Sequence, residues 1–150
     1  MIAYADTSFL CAFYVKQSNS PAAAAYAATM REPLHVTPFL VYEFRQALRF
    51  QVWRRSANRR EGIAPADAQA ALSQFEGDLA SGIALLVPCN FQQVFRHAED
   101  LSQKHTAAGG HRSFDVLHVA TALDLGAQDF LTFDGNQRKL ATAEGLTAKP

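Results

Sequence analysis

The chain has 150 residues, of which 49% are hydrophobic and 11% aromatic, so it can bury a sizeable core and is not a disordered chain. Lysine plus arginine and aspartate plus glutamate both number 14, so the net charge provides no argument for nucleic-acid binding. No apolar run reaches the roughly 18 residues that a membrane span needs, and the start MIAYAD lacks the basic region of a signal peptide. We therefore expect one cytoplasmic domain over residues 1–150, with Cys11 and Cys89 as reduced thiols.

Short apolar runs alternate along the chain with segments of helical periodicity. The apolar runs predict strands at residues 2–5, 34–37, 83–87 and 130–133, with residues 146–150 as a possible fifth, edge strand. The periodic segments predict helices at residues 7–15, 20–30, 38–60, 65–81, 91–101, 113–125 and 135–144, with residues 107–110 as a loop. This alternation predicts an α/β fold with a mostly parallel central sheet flanked by helices, whose ligand sites lie outside the carboxyl ends of the strands.

The expected helix starts carry residues that are typical of N-caps. Thr7 or Ser8 can cap the first helix, Asn90 the fifth and Ser113 the sixth, while Ser20 is followed by a proline at the first helical position. Gly82 and Gly126 predict where the fourth and the sixth helix end.

Four acidic residues lie at or beside the ends of the apolar runs: Asp6, Glu43, Asp115 and Asp134. Asp6 and Asp134 follow strands, whereas Glu43 and Asp115 belong near helix starts at the same edge of a parallel sheet, so all four can converge. Carboxylates beside hydrophobic segments lose hydration and persist when they are paired, hydrogen-bonded or metal-bound. No comparable set of basic residues interrupts these runs, and oxygen ligands suit Mg²⁺ or Mn²⁺ better than zinc. Each acid taken singly is also compatible with a helix cap.

Several polar residues lie close to these acids in the chain and have two interpretations each. Three hydroxyl residues are either helix caps or groups that orient Asp6, namely Thr7, Ser8 and Thr132. His118, one turn after Asp115, either faces the site or is a hydrogen-bonded packing histidine.

The loop before Asp115 and the turn after Asp134 carry further polar residues. His111 and Arg112 either contact a phosphate or are ordinary solvated side chains. Asn136 is typical of a turn or a cap.

The third predicted helix carries a stretch of arginines without an acid among them, interleaved with Phe50 and Trp53. The arginines are Arg45, Arg49, Arg54, Arg55, Arg59 and Arg60. Such a face can follow a phosphate backbone while an aromatic ring stacks on a base. A groove that binds a partner protein, or a solvated helix face with Trp53 in the core, is equally compatible with the pattern.

Three segments with these acids resemble the PIN-domain ribonucleases, in particular the VapC-type toxins of bacterial toxin–antitoxin pairs. The segments are YADTSFL, VYEFRQAL and HRSFDVLHVATALDLGAQDFLTFDGNQRKLA, and the likeness covers almost the whole chain. The resemblance implies a parallel sheet flanked by helices, RNA cleavage that depends on Mg²⁺ or Mn²⁺, a homodimer, and an antitoxin that blocks the site. It assigns the metal-binding acids to Asp6, Glu43, Asp115 and Asp134. The end LTAKP is less apolar than the last strand usually is in that family.

Phosphodiester hydrolysis needs an activated water and stabilised charge on the phosphate, and bound metal ions supply both. Two other classes also fit an acid after the first strand. A haloacid-dehalogenase-like phosphatase expects a second aspartate two residues later, where this chain has Ser8, and a receiver-like domain expects adjacent acids there. A PIN-like domain that binds RNA without cleaving it would be expected to lack some of the four acids.

Overall fold

The computed structural model describes residues 2–150 and contains one sheet of five parallel strands, in the order β3-β2-β1-β4-β5. The strands are β1 Ala3–Ala5, β2 Leu34–Val36, β3 Ala84–Leu86, β4 Asp129–Leu131 and β5 Thr147–Lys149. The predicted parallel α/β fold is confirmed, including the fifth strand at an edge. Each regular strand has three residues, and β1 and β2 end where the next residue, Asp6 or Thr37, caps a helix.

Helices connect the strands and account for most of the chain. They are α1 Thr7–Tyr14, α2 Ser20–Ala27, α3 Pro38–Ala57, α4 Pro65–Ser81, α5 Phe91–Leu101, α6 Ala107–Gly109, α7 Ser113–Asp124 and α8 Gly135–Ala143. Gly82 ends α4 in a left-handed conformation with φ of 79°, as its sequence position predicts. Within residues 2–150, no helix has the length and apolar character that crossing a membrane requires.

The start of two helices differs from the sequence prediction. Thr7 and Ser113 are the first residues inside α1 and α7, and the N-caps are Asp6 and Arg112. The Asp6 carboxylate accepts the Phe9 backbone N–H, so the acid takes the capping position that the hydroxyl residues were expected to fill. The predicted caps at Thr7, Ser8 and Ser113 are therefore wrong.

The predicted loop at residues 107–110 is also wrong. A π-helical turn at Ser102–Thr106 continues α5 directly into α6, so the chain stays helical to Gly109. Gly110 then ends the helix with φ of 65°, while its N–H donates to the Thr106 carbonyl at 2.8 Å. Ala107 and Ala108 favour a helix, and the helix ends at the left-handed glycine that follows them.

Buried aromatic rings join the helices to one another and to the sheet. Tyr14, Phe44 and Phe75, from α1, α3 and α4, lie with ring centroids 5.2–5.6 Å apart. Tyr4 of β1 and Phe130 of β4 stack at 6.1 Å and are fully buried. The core therefore supports β1 and β4, the neighbouring strands that precede Asp6 and Asp134.

Candidate active site

Asp6 follows β1 directly and is completely buried. Its Oδ1 accepts the Phe9 N–H at 2.9 Å and the Ser8 hydroxyl at 2.7 Å, while Oδ2 accepts the Thr132 hydroxyl at 2.5 Å. Burial raises the pKa of Asp6, and the bonds from Thr132, Ser8 and Phe9 oppose that rise only in part. The protein thus holds a carboxyl group in one orientation without water around it.

The two hydroxyl residues beside Asp6 also tie the ends of β1 and β4 together. Ser8 Oγ accepts the Phe133 N–H at 2.8 Å, and Thr132 Oγ1 accepts the Asp134 N–H at 2.9 Å. Ser8 and Thr132 therefore position Asp6 and the backbone that leads to Asp134 at the same time.

Glu43 lies in the second turn of α3, and its Oε2 is held from two sides. The Thr7 hydroxyl donates to this oxygen, and His118 Nε2 lies 2.5 Å from it. His118 is 1% exposed, and its Nδ1 lies 3.0 Å from the Tyr4 hydroxyl. Because a carboxylate only accepts, His118 Nε2 donates to Glu43, and the same ring bonds the Tyr4 hydroxyl through Nδ1. Burial works to raise the pKa of Glu43, but the hydrogen bond and charge of His118, with Thr7, bring it below its usual value.

Asp115 and Asp134 share one cation, the guanidinium of Arg112. Asp115 Oδ2 accepts Arg112 Nε at 3.1 Å, and Asp134 Oδ2 lies 3.7 Å from Arg112 Nη2. Asp134 Oδ1 caps α8 by accepting two backbone N–H groups at 2.8 and 2.9 Å. The hydrogen bond to Asp115 is the main reason that the pKa of Arg112 is raised. Arg112 therefore serves as an internal counter-ion for Asp115 and Asp134.

The donor set fits a hard divalent cation in its chemistry. Three carboxylate oxygens of the four acids have no hydrogen-bond donor among the described residues, namely Glu43 Oε1, Asp115 Oδ1 and Asp134 Oδ2, the last of which has only the ion pair with Arg112 at 3.7 Å. With the side chains as oriented here, however, no three acidic, histidine or cysteine side chains of residues 2–150 converge on one position for a metal ion. Each carboxylate is instead oriented by its own partners. Hydroxyl groups orient Asp6, His118 orients Glu43, and Arg112 orients Asp115 and Asp134. Binding a metal ion through three of these side chains would therefore require side-chain rotation.

Other predicted binding residues lie away from these acids. Arg45 is two residues after Glu43 and hence on another side of α3, where it forms an ion pair with Glu76 of α4. Arg49 is exposed and lines a groove between α3 and α4. The His111 ring packs against Gly109, and the Asn136 side chain donates to the Gly110 carbonyl at 3.4 Å. Of the predicted phosphate-contact residues, Arg112 is the one that reaches the acids.

Sequence reasoning did not identify Tyr4 as part of the site. Tyr4 precedes Asp6 by two residues, and side chains two positions apart in an extended segment point to the same side. This two-residue spacing could have identified Tyr4 as a neighbour of the site. His118 proves to be both a packing histidine and a hydrogen-bond partner of Glu43. Trp53 is 60% exposed, which contradicts its interpretation as a core residue.

A parallel α/β sheet with acids at the carboxyl ends of its central strands defines a class of proteins with a candidate hydrolytic site at that edge. Residues 3–143 match the PIN domain, and the chain belongs to this family. The predicted family is therefore confirmed, and the haloacid-dehalogenase-like and receiver-like alternatives are wrong. No curated protein sequence matches the chain significantly.

Two solved structures are similar to this chain over nearly their whole length. One is VapC20 of Mycobacterium tuberculosis, described as a Sarcin-Ricin loop cleaving toxin, with 19% identity, a TM-score of 0.67 and 99% of both chains covered. The other is FitAcB from Neisseria gonorrhoeae, with 14% identity, a TM-score of 0.68, and coverage of 100% of this chain and 97% of that chain. At these identities, the similarity shows a shared fold.

Proposed function

We propose that this protein is an endoribonuclease that depends on Mg²⁺ or Mn²⁺ and is the toxin of a toxin–antitoxin pair. The observation that carries the proposal is the placement of Asp6, Glu43, Asp115 and Asp134 on four elements at one edge of the sheet of a PIN domain. The fold shared with VapC20, a toxin described as cleaving the Sarcin-Ricin loop, supports RNA as the substrate class and the toxin role.

Asp6, Asp115 and Asp134 are the residues that would hold the cation, with Glu43 beside them. When bound, a divalent cation lowers the pKa of water and stabilises charge on the phosphate. Glu43 Oε1, which is free of Thr7 and His118, is the acceptor we assign for the proton of the attacking water. Arg112, whose side chain is 76% exposed, is placed to contact a substrate phosphate.

Replacement of single acids tests this proposal. We expect Asp115→Asn, and equally Asp6→Asn and Asp134→Asn, to abolish cleavage of a fluorescent RNA in Mn²⁺ or Mg²⁺ while circular dichroism shows an intact fold. Asp100→Asn, an exposed aspartate of α5, is the matched control and should retain activity. Full cleavage by Asp115→Asn, or undiminished wild-type cleavage in EDTA, would contradict the metal mechanism. RNA binding without cleavage by the wild type would favour an RNA-binding module instead.

The proposed partners are RNA, an antitoxin and a second copy of the chain. Large apolar side chains are exposed beside and on the edge strand β3, namely Ile83 at 57%, Leu85 at 45% and Leu86 at 54%, and such a surface is suited to a protein interface. Light scattering on the purified protein tests the homodimer. Growth arrest on expression, relieved by the neighbouring upstream reading frame, tests the toxin role.

A further inference from the structure

Three aromatic rings lie in series from the buried Glu43 partner to the protein surface. The His118 ring, which is 1% exposed, lies with its centroid 4.7 Å from that of Phe39. Phe39, which is half-buried, contacts Phe114 edge-on at 5.3 Å with an interplanar angle of 88°. Phe114 is 45% exposed. The outermost ring of the series therefore faces solvent while an inner ring restrains it.

Burial in the hydrophobic core does not explain why phenylalanines occupy positions 39 and 114. Among residues 2–150, neither Phe39 nor Phe114 belongs to the hydrophobic core cluster or to the partly buried side chains packed against it. Phe114 is the second residue of α7, whose core-facing side chains include Val116, Val119 and Ala120. The ring is thus an apolar group at the rim of the acidic site, and burial in the core gives no reason for it.

We propose that Phe114 is a stacking platform for a nucleobase of the RNA next to the cleaved bond, an inference that rests on the proposed function. Phe114 lies in the chain between Arg112, which can bind a phosphate, and Asp115, which belongs to the acidic site. In space, Phe114 is connected to the acidic site through Phe39 and His118, which bonds Glu43, so a base stacked on this ring would lie beside that site. Each base has a π face, so such stacking is tolerant of sequence. The exposed Arg112, two residues before Phe114, favours a ligand that combines an apolar face with an anion, as a nucleotide does.

The test compares two probes that differ in the presence of bases. Binding of a fluorescent oligouridylate and of an abasic ribose-phosphate oligomer of equal length is measured by anisotropy, in EDTA to prevent cleavage. We expect the wild type to prefer oligouridylate, and Phe114→Ala to weaken its binding by roughly 5- to 100-fold without changing the abasic probe. Phe114→Trp should retain the preference, and Phe114→Leu should lose it, because leucine keeps apolar area but has no π face.

Phe91→Ala is the matched control, since Phe91 is 41% exposed and lies at the first position of another helix, α5. It should bind both probes as the wild type does. Equal loss of both probes in Phe114→Ala, no loss of either, or a wild type without preference for oligouridylate would overturn the inference. Loss of antitoxin binding alone in Phe114→Ala would overturn it too and assign the ring to a protein interface. Wild-type cleavage in Mn²⁺, measured in parallel, shows separately whether the nuclease proposal holds.

Discussion

At the scale of single residues, the position of Glu43 depends on a short series of buried polar groups. Tyr4 from β1, His118 from α7 and Glu43 from α3 are linked by hydrogen bonds, and Thr7 from α1 donates to the same carboxylate. Each group comes from a different element, so the series can form only after these elements have packed. Removal of one member of such a buried network leaves its partner unpaired and lowers the free energy of unfolding.

We predict that His118→Leu lowers the free energy of unfolding by about 1–3 kcal/mol, because it leaves the buried Tyr4 hydroxyl without its imidazole partner and removes the imidazole from Glu43. Tyr4→Phe should cost only about 0.5–1.5 kcal/mol, since it removes one hydrogen bond and keeps the ring. Urea denaturation measures both values. RNA cleavage should slow in His118→Leu with little change in KM if His118 positions Glu43. Equal stability of His118→Leu and the wild type would show that the network contributes nothing.

At the scale of elements, three helices begin at the acidic site. Asp6 caps α1, Asp134 caps α8, and Asp115 lies in the first turn of α7. A helix N-terminus carries roughly half a positive charge, so each of these acids gains from the helix it starts. The fold thereby tolerates several carboxylates in one place before any cation binds.

Helix α3 shows why its arginines do not act as one uniform surface. Arg45 pairs with Glu76, and Arg54 pairs with Glu61 at 2.5 Å, so acids from outside the stretch neutralise two of its members. Phe50 and Trp53 stack at 5.3 Å and are 52% and 60% exposed. This exposure contradicts a core position for Trp53. RNA and a partner protein are both still compatible with this face as ligands.

We predict that replacing Arg45 and Arg49 with Gln weakens RNA binding and lowers its salt dependence by up to about two units of slope. Arg49 should contribute more than Arg45, because Arg45 already has a carboxylate partner. The measurement is RNA affinity at several salt concentrations, with Mn²⁺ affinity as the control that should stay unchanged. If the RNA slope is unaffected and affinity for a copurified antitoxin falls, these arginines belong to the partner interface.

At the scale of the whole molecule, the strand order creates the place for the site. From β1 the chain adds β2 and β3 on one side, and β4 and β5 lie on the other. The change of direction leaves a crevice at the carboxyl ends of β1 and β4, where parallel sheets bind their ligands. Asp6 and Thr132 meet there at 2.5 Å, although 126 residues separate them in sequence.

The stability of the whole domain should respond to metal through Asp6. Its raised pKa means that ionised Asp6 costs folding free energy at neutral pH, so metal-free Asp6→Asn should melt no lower than the metal-free wild type, and Asn retains the cap. Mn²⁺ should stabilise the wild type by roughly 2.7 kcal/mol at a hundredfold excess over Kd, and the variant much less. Thermal melts with and without Mn²⁺ test this. Asp100→Asn should shift as the wild type does, and an equal shift in Asp6→Asn would count against a metal site at Asp6.

The order and type of the elements followed from local patterns, and their ends did so only in part. Apolar runs located β1 to β4, and Gly82 ended α4, because strand periodicity and left-handed glycines are properties of neighbouring residues. The fifth strand was only a possibility, since its residues are not an apolar run. A cap at Asp6 was one of two interpretations of that acid, whereas the N-cap position of Arg112 and the helical segment through Ser102–Thr106 were missed. Capping depends on which of several polar side chains reaches the free N–H, and that choice depends on tertiary contacts.

The sequence by itself determined the parallel α/β fold through its alternation of strands and helices, and the PIN family through the resemblance of its motifs. It also predicted that four acids share one edge of the sheet, because chain order decides which residues follow parallel strands or begin the helices after them. Only the tertiary structure decided how their charges are satisfied. It placed Arg112 between Asp115 and Asp134, His118 against Glu43, and Arg45 away from the site on Glu76. These partners are set by side-chain directions and by packing between elements distant in sequence, for which no local pattern exists.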